Sequence, residues 1–214
     1  MAKIIPGILT ASEKDYHKRL LTAEQVADLV QIDVVDGKFA NNVTIGIDVI
    51  KKYLTSANLE IQLMVVNPND YIDDLGHLDY VSRIIFPFEI EGNINENIYR
   101  IRKLSKQVGL SINPETPVNA AMHFIDDIDL LSIYAAKPGF SGQKLQEATY
   151  CRIKEAKKNA AELPVEVDIG VNPQTIPKLV KAGADFLVVT SYLNKAEDFY
   201  LAYEKLAKLA ANPL

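Results

Sequence analysis

Eight times along this chain an apolar run gives way to a stretch patterned for a helix, and that alternation restricts the fold more than any other feature. The runs fall at 3–9, 30–35, 59–65, 80–86, 109–113, 128–135, 165–168 and 185–190. The helical stretches fall at 13–29, 45–53, 68–75, 94–107, 118–125, 145–161, 173–182 and 196–211, the first with apolar spacing near 3.6. Strands that are apolar along most of their length suit a parallel sheet covered on both faces. Eight strand–helix units in about 210 residues predict an α/β fold, a single (β/α)8 TIM barrel spanning residues 1–214 with short loops. An open doubly wound sheet is the alternative. It usually carries a glycine fingerprint after its first strand, and Pro6-Gly7-Ile8-Leu9-Thr10 is not one. Asn172-Pro173 and Asn194 read as N-caps of the last two helices.

With 48% hydrophobic residues, 214 residues suffice for one sizeable core. A net charge of -5 without a long basic run argues against nucleic acid and anionic membrane as partners. No stretch of 18 apolar residues and no charged-then-apolar leader is present, so a soluble, cytoplasmic protein is expected. The single cysteine, Cys151, excludes an internal disulfide; its helical context predicts a buried small residue. His17, His77 and His123 all lie away from strand C-termini, which speaks against a histidine-based metal site.

In such a barrel the chemistry sits where strands end. Two strands end alike: Val30-Gln31-Ile32-Asp33-Val34-Val35-Asp36-Gly37 and Val165-Glu166-Val167-Asp168-Ile169-Gly170. Asp33 and Asp168 can therefore face each other across a pocket, as general acid and base on opposite faces of a substrate carbon. The plainer reading makes them strand-end caps or ion-pair partners. Asp36, followed by glycine, reads as a turn residue, and Val35 and Met64 as apolar lining. The loop Lys137-Pro138-Gly139-Phe140-Ser141-Gly142-Gln143 lies between a strand and a helix, and Gly170 and Thr190-Ser191 follow strands seven and eight. Each glycine alone is an ordinary turn. Together the three loops suit backbone binding of a phosphate.

With these residues in view, the chain resembles the ribulose-phosphate 3-epimerase family. The likeness rests on Pro6-x-Ile8-Leu9, Asp33-x-x-Asp36-Gly37-x-Phe39, Asn42-x-Thr44-Ile45-Gly46 and Leu63-Met64-x-x-Asn67-Pro68. It continues with Asn113-Pro114-x-Thr116-Pro117, Pro138-Gly139-Phe140-x-Gly142-Gln143 and Val167-Asp168-x-Gly170-Val171-Asn172-Pro173. The resemblance implies a barrel that interconverts ketose 5- or 6-phosphates at C3, with Asp33 and Asp168 as acid and base. It implies a phosphorylated-sugar ligand on Gly139, Gly142, Gly170, Thr190 and Ser191, with Met64, Asn113 and Lys137 nearby. A homo-oligomer is also expected. The family holds a divalent metal with two aspartates and two histidines. Here Gln31 and Gln62 stand at the histidine positions, leaving Asp33 and Asp168 as the only anionic metal ligands. Other departures are Gly7 for serine, Ser12 for aspartate, Pro87 for histidine, Lys137 for asparagine, and Ile169 and Thr190 for glycines.

An amide oxygen is a poor substitute for imidazole on zinc or iron. The expectation is therefore a divergent member with no tightly bound cofactor, a hard divalent ion being the alternative. Without a cation the two carboxylates resist joint ionisation, so one should hold a proton near neutral pH. Lys137, Lys38 or the Gln31 and Gln62 amides are candidates to stabilise enediolate charge. Two other functions stay open: a non-catalytic sugar-phosphate-binding relative, and aldolase- or decarboxylase-type chemistry that would draw on Lys38 and Lys137.

Overall fold

The computed structural model describes residues 1–212; the final two residues of the expected 1–214 domain lie outside the described residues. Eight strands close in sequence order into one barrel: β1 (Lys3–Ile8), β2 (Leu29–Val35), β3 (Asn58–Met64), β4 (Val81–Pro87), β5 (Gln107–Ile112), β6 (Leu130–Tyr134), β7 (Val165–Asp168) and β8 (Phe186–Val189). Every neighbouring pair is parallel, including the closing β1–β8 pair. Helices α1 (Glu13–Ala23), α2 (Ile47–Lys52), α3 (Asn69–Gly76), α4 (Ile94–Lys103), α5 (Val118–Ala121), α6 (Ala148–Asn159), α7 (Ile176–Ala182), α8 (Ser191–Asn194) and α9 (Phe199–Ala211) connect and cover them. A 3-10 turn, Met122–Phe124, extends α5. Among the described residues no helix is long and apolar enough to cross a membrane.

Successive strand side chains point to opposite faces, and here the two faces differ in kind. Outward positions such as Ile32, Val34, Ile61, Leu63, Ile84, Leu110, Ile133, Val167 and Leu187 pack with Leu20, Ile50, Ile72, Ile101, Ile153, Leu179 and Leu206 of the helices, all buried. At roughly 25 cal/mol per Å² of apolar surface, this layer supplies most of the favourable free energy of folding. The intervening positions include Gln31, Asp33, Glu60, Gln62, Arg83, Ser111, Ser132, Glu166 and Asp168, also buried. The barrel interior is thus largely polar, and apolar anchoring falls to the wall between strands and helices.

Helix ends depart from the periodicity. The stretch expected to be helical over 13–29 stops at Ala23, because Leu29 is needed in β2, in register with Asn58 of β3. That expected over 94–107 stops at Lys103: Ser105 adopts φ 58, and Gln107 joins β5 opposite Arg83. Asn172 caps a turn before α7, its Oδ1 accepting from the N–H groups of Gln174 (2.9 Å) and Thr175 (3.2 Å). The N-cap of α9 is Asp198, which accepts from Leu201 N at 2.9 Å; Asn194 instead ends the short α8. The expectation of a buried Cys151 is corrected: its side chain is exposed, and Ile153 and Ala156 take the inward positions of α6.

Candidate functional site

The C-terminal ends of the strands surround a small, partly open cleft. Asp33 from β2 and Asp168 from β7 both line it, together with Met64 of β3, Gly139 to Gly142 of the β6 loop, Gly170, Thr190 and Ser191. The acids are 4% and 6% exposed, so water screens them little. Burial pushes the Asp33 carboxyl well above the usual carboxylate range, and the charge of Asp168 adds to this; the Gln31 amide opposes it. Asp168 is raised to about 7 by burial and then by Glu166, opposed by the Ile169 N–H and by Gln31. Near neutral pH the pair accordingly keeps at least one proton.

Gln31 Nε2 donates to Asp33 Oδ1 at 3.0 Å, and Gln62 Nε2 donates to Ser111 Oγ at 3.2 Å. The Oε1 atoms of both glutamines are buried without a partner. One layer further into the barrel lies a second acidic pair, Glu60 and Glu166. Arg83 Nη1 sits 2.7 Å from Glu60 Oε2. Its Nε donates to Gln107 Oε1 at 3.1 Å, and its guanidinium lies 5.1 Å from the centre of the Phe186 ring.

On the other side of the cleft three loops converge. Gly139 and Gly142 hold φ of 105° and 81°. Gln143 Nε2 closes their loop on the carbonyls of Lys137 (2.7 Å) and Phe140 (2.8 Å), and Asn42 Nδ2 ties it to the β2 side through Gly139 O at 2.7 Å. Gly170 has φ 75°, and a Cβ there would stand 2.6 Å from Leu145 N, so any side chain would drive into backbone. Thr190 leads into α8, which Ser191 opens. A Cβ at Gly7 would fall on Thr190 Oγ1. The departures at Gly7 and Thr190 are therefore one change: the hydroxyl of Thr190, just after β8, occupies the space that a side chain on β1 would need. Ile169 carries φ 74° while its N–H donates to Asp168 Oδ1 at 2.7 Å. A β-branched residue in that region is strained by about 1–3 kcal/mol.

The other candidates lie off the cleft wall. Lys137 is exposed, and Lys38 is exposed beside Gly37. Asn113 is half-buried, its N–H bonded to Glu89 Oε1 at 2.9 Å and its carbonyl to Arg152 at 2.6 Å. Gln31 and Gln62 lie beneath the wall, fully buried. Asp36 is a turn residue: Oδ1 accepts from the N–H groups of Lys38 and Phe39, both 2.8 Å, and Oδ2 from Val66 at 2.9 Å. Burial works against its charge, yet these bonds hold its carboxyl below the usual range. His17 stacks on Tyr53 with ring centres 4.1 Å apart. His77 caps α3 and His123 lies in the 3-10 turn. Leu9, Phe140, Ser141, Val171 and Val188 also line the cleft; Phe140 and Ser141 belong to the glycine loop and Leu9 and Val171 to the quoted motifs, while Val188 carries no sequence signal.

A ligand set of two carboxylates and two amides is oxygen-only, and Gln31 turns its N–H rather than its oxygen to Asp33. Among the described residues no three His, Cys, Asp or Glu side chains converge in a way that could hold a metal ion. These residues do not fit zinc or iron, which take three or four nitrogen, sulfur or carboxylate ligands.

The family model for the ribulose-phosphate 3 epimerase family matches residues 3–194. The chain is 31% identical to the ribulose-phosphate 3-epimerase of Methanocaldococcus jannaschii, over 100% of this chain and 93% of that protein. It is 34% identical to that of Bacillus subtilis, over 89% of this chain and 91% of that protein. Among solved structures, a 3-hexulose-6-phosphate synthase matches with a TM-score of 0.70 at 16% identity, covering 96% of this chain and 98% of that one. A tryptophan synthase α-subunit from Pyrococcus furiosus matches with a TM-score of 0.74 at 17% identity, covering 98% of both chains. At such identities the structural likeness speaks for the barrel alone.

Proposed function

The chain belongs to the ribulose-phosphate 3-epimerase family, a family of isomerases, and on that premise we propose that it exchanges a proton at C3 of a ketose 5- or 6-phosphate using Asp33 and Asp168, without a transition metal. The observation that carries this reading is the meeting of the two buried acids and the three glycine- and hydroxyl-bearing loops in one cleft. The phosphate rests on backbone N–H groups near Gly142, Gly170 and Ser191, where glycine permits close approach. This places the sugar carbons towards Asp33 and Asp168. The ionised acid removes the C3 proton, the C–H electrons pass towards the C2 oxygen, and the protonated acid returns a proton to the opposite face of C3. Each turnover exchanges the roles of the two acids, so the enzyme needs the singly protonated pair. Asp168, raised to about 7, supplies the base in one direction, with Asp33 as acid.

The donor set supports the metal-free part. Two aspartates without imidazoles make a weak transition-metal site, and the Gln31 amide already donates to Asp33. The test is incorporation of solvent deuterium at C3 of several ketose 5- and 6-phosphates by chelator-treated protein. Incorporation is the expected result. Tight binding without exchange would make this a sugar-phosphate-binding relative, loss of carbon would point to a lyase, and exchange that needs added zinc or iron would return it to metal-dependent chemistry.

A further inference from the structure

Tyr134, the last residue of β6, stands in direct register with Asp168 of β7. In-register side chains on parallel strands point to the same face, so the ring enters the barrel beside the acid pair. It is fully buried and packs with Val35, Met64, Ala136 and Ile169. Its O–H donates to no group, and Ser111 is the one hydroxyl placed to donate to the phenol oxygen. Leaving a buried donor unmade is destabilising, and a phenylalanine would avoid that cost. Burial raises the phenol well above its usual range, and the charge of Asp168 follows as the next cause. Asp33 and Glu89 add to it, and nearby Ser111 opposes it. The phenol thus stays a neutral donor in the field of both acids.

The nearby cations are committed elsewhere. Arg83 is paired with Glu60. Arg152 donates to the carbonyls of Asn113, Thr116 and Tyr134. Lys38 and Lys137 are exposed. Of the neutral donors, Gln31 already serves Asp33 and Gln62 already serves Ser111. The Tyr134 hydroxyl is unspent and, unlike that of Ser132 one layer deeper, stands in register with Asp168.

We propose that Tyr134 is a positioning residue for the proton exchange: its O–H donates to whichever of Asp33 and Asp168 carries the negative charge and so holds that carboxylate against C3, as a shared cation would. The inference rests on the reading of the two acids as an acid–base pair. The bond forms in the substrate complex, where hydrogen bonds that are long or unmade in the free enzyme tighten. Ser111 belongs to the same chain of donors: its oxygen accepts from Gln62, which leaves its own proton for the phenol oxygen.

The test is Tyr134→Phe, which removes one oxygen and keeps the ring. C3 deuterium exchange should fall in kcat by about 10²- to 10³-fold, the usual loss for one preorganised donor. KM for the ketose phosphate should stay within about twofold, because the phosphate loops are untouched, and the melting temperature should hold or rise as an unpartnered hydroxyl is lost. A purely structural tyrosine would show its effect in stability or KM. Ser111→Ala tests the same chain with the ring in place and decides the matter if the phenylalanine variant does not fold. A fall in kcat at constant KM supports the proposal, and wild-type kcat in the folded variants overturns it. Wild-type protein that exchanges alongside an equally active Tyr134→Phe refutes this inference alone. Wild-type protein without exchange on any ketose phosphate refutes the acid–base reading and this inference together.

Discussion

Inside the barrel two acidic pairs sit a layer apart, Glu60 with Glu166 below and Asp33 with Asp168 above, and they are balanced differently. The lower pair is sealed at 0% exposure and has its own cation, with Arg83 2.7 Å from Glu60. Burial and then the charge of Glu60 push Glu166 well above the usual carboxyl range, with Arg83 opposing. Burial raises Glu60 as well, with Arg83 opposing, so that layer sets two carboxyls held against ionisation around one guanidinium. The upper pair keeps a proton near neutral pH, and neutral donors answer its charge, the Gln31 amide at Asp33 and the Ile169 N–H at Asp168. Identical chemistry thus serves two ends. Where the charge is neutralised and sealed the carboxyls are structural; where it is left open at a cleft they are available for reaction.

The comparison breaks most visibly if the upper acids prove dispensable. Asp33→Asn and Asp168→Asn should each lower C3 exchange by about 10²- to 10⁴-fold, the usual worth of a general acid or base, with the circular-dichroism spectrum unchanged. Either variant turning over at near wild-type rate would make the upper pair no more functional than the lower.

A substitution in the lower layer should show its effect in stability. Arg83→Met leaves Glu60 buried without its cation, and urea unfolding should report a loss of about 3–5 kcal/mol. A loss under about 1 kcal/mol would mean that the guanidinium does not balance that layer.

The smallest effect separates the pairs by pH. A carboxyl raised in the folded state contributes stability below its unfolded value, near pH 4, and that contribution is lost as pH rises through the folded value, about 7 for Asp168. Asp168→Asn should therefore be more stable than wild type at neutral pH by about 0.5–2 kcal/mol, and the advantage should vanish towards pH 4. A gap that stays constant with pH would show that Asp168 is not held against its charge.

Much of this architecture is legible in the amino-acid sequence. The strands are, because their outward residues are mostly Ile, Leu and Val while glycines and acids mark their ends. The acids of the site are, because a carboxylate closing an apolar run is conspicuous. The boundary of α1 is not: Val26, Ala27 and Leu29 continue the helical spacing although Leu29 pairs into β2. The lower trio is not either, since Glu60, Arg83 and Glu166 come from three separate strands and only closure of the barrel makes them neighbours. Tyr134 reads in sequence as one more apolar strand residue. Its meaning depends on which face of β6 turns inward, and that is set by the register with Asp168.

The backbone at Ile169 has a consequence for the thermodynamics of association. A glycine following Asp168 would wander among many conformations and surrender them when a ligand arrives. Isoleucine, held at φ 74° by its N–H bond to Asp168 and by the surrounding apolar side chains, has surrendered them at folding. The rim of the cleft at strand seven is thus ordered in advance, and if the proposed phosphate seat is right, binding there should carry a small entropic penalty for this segment.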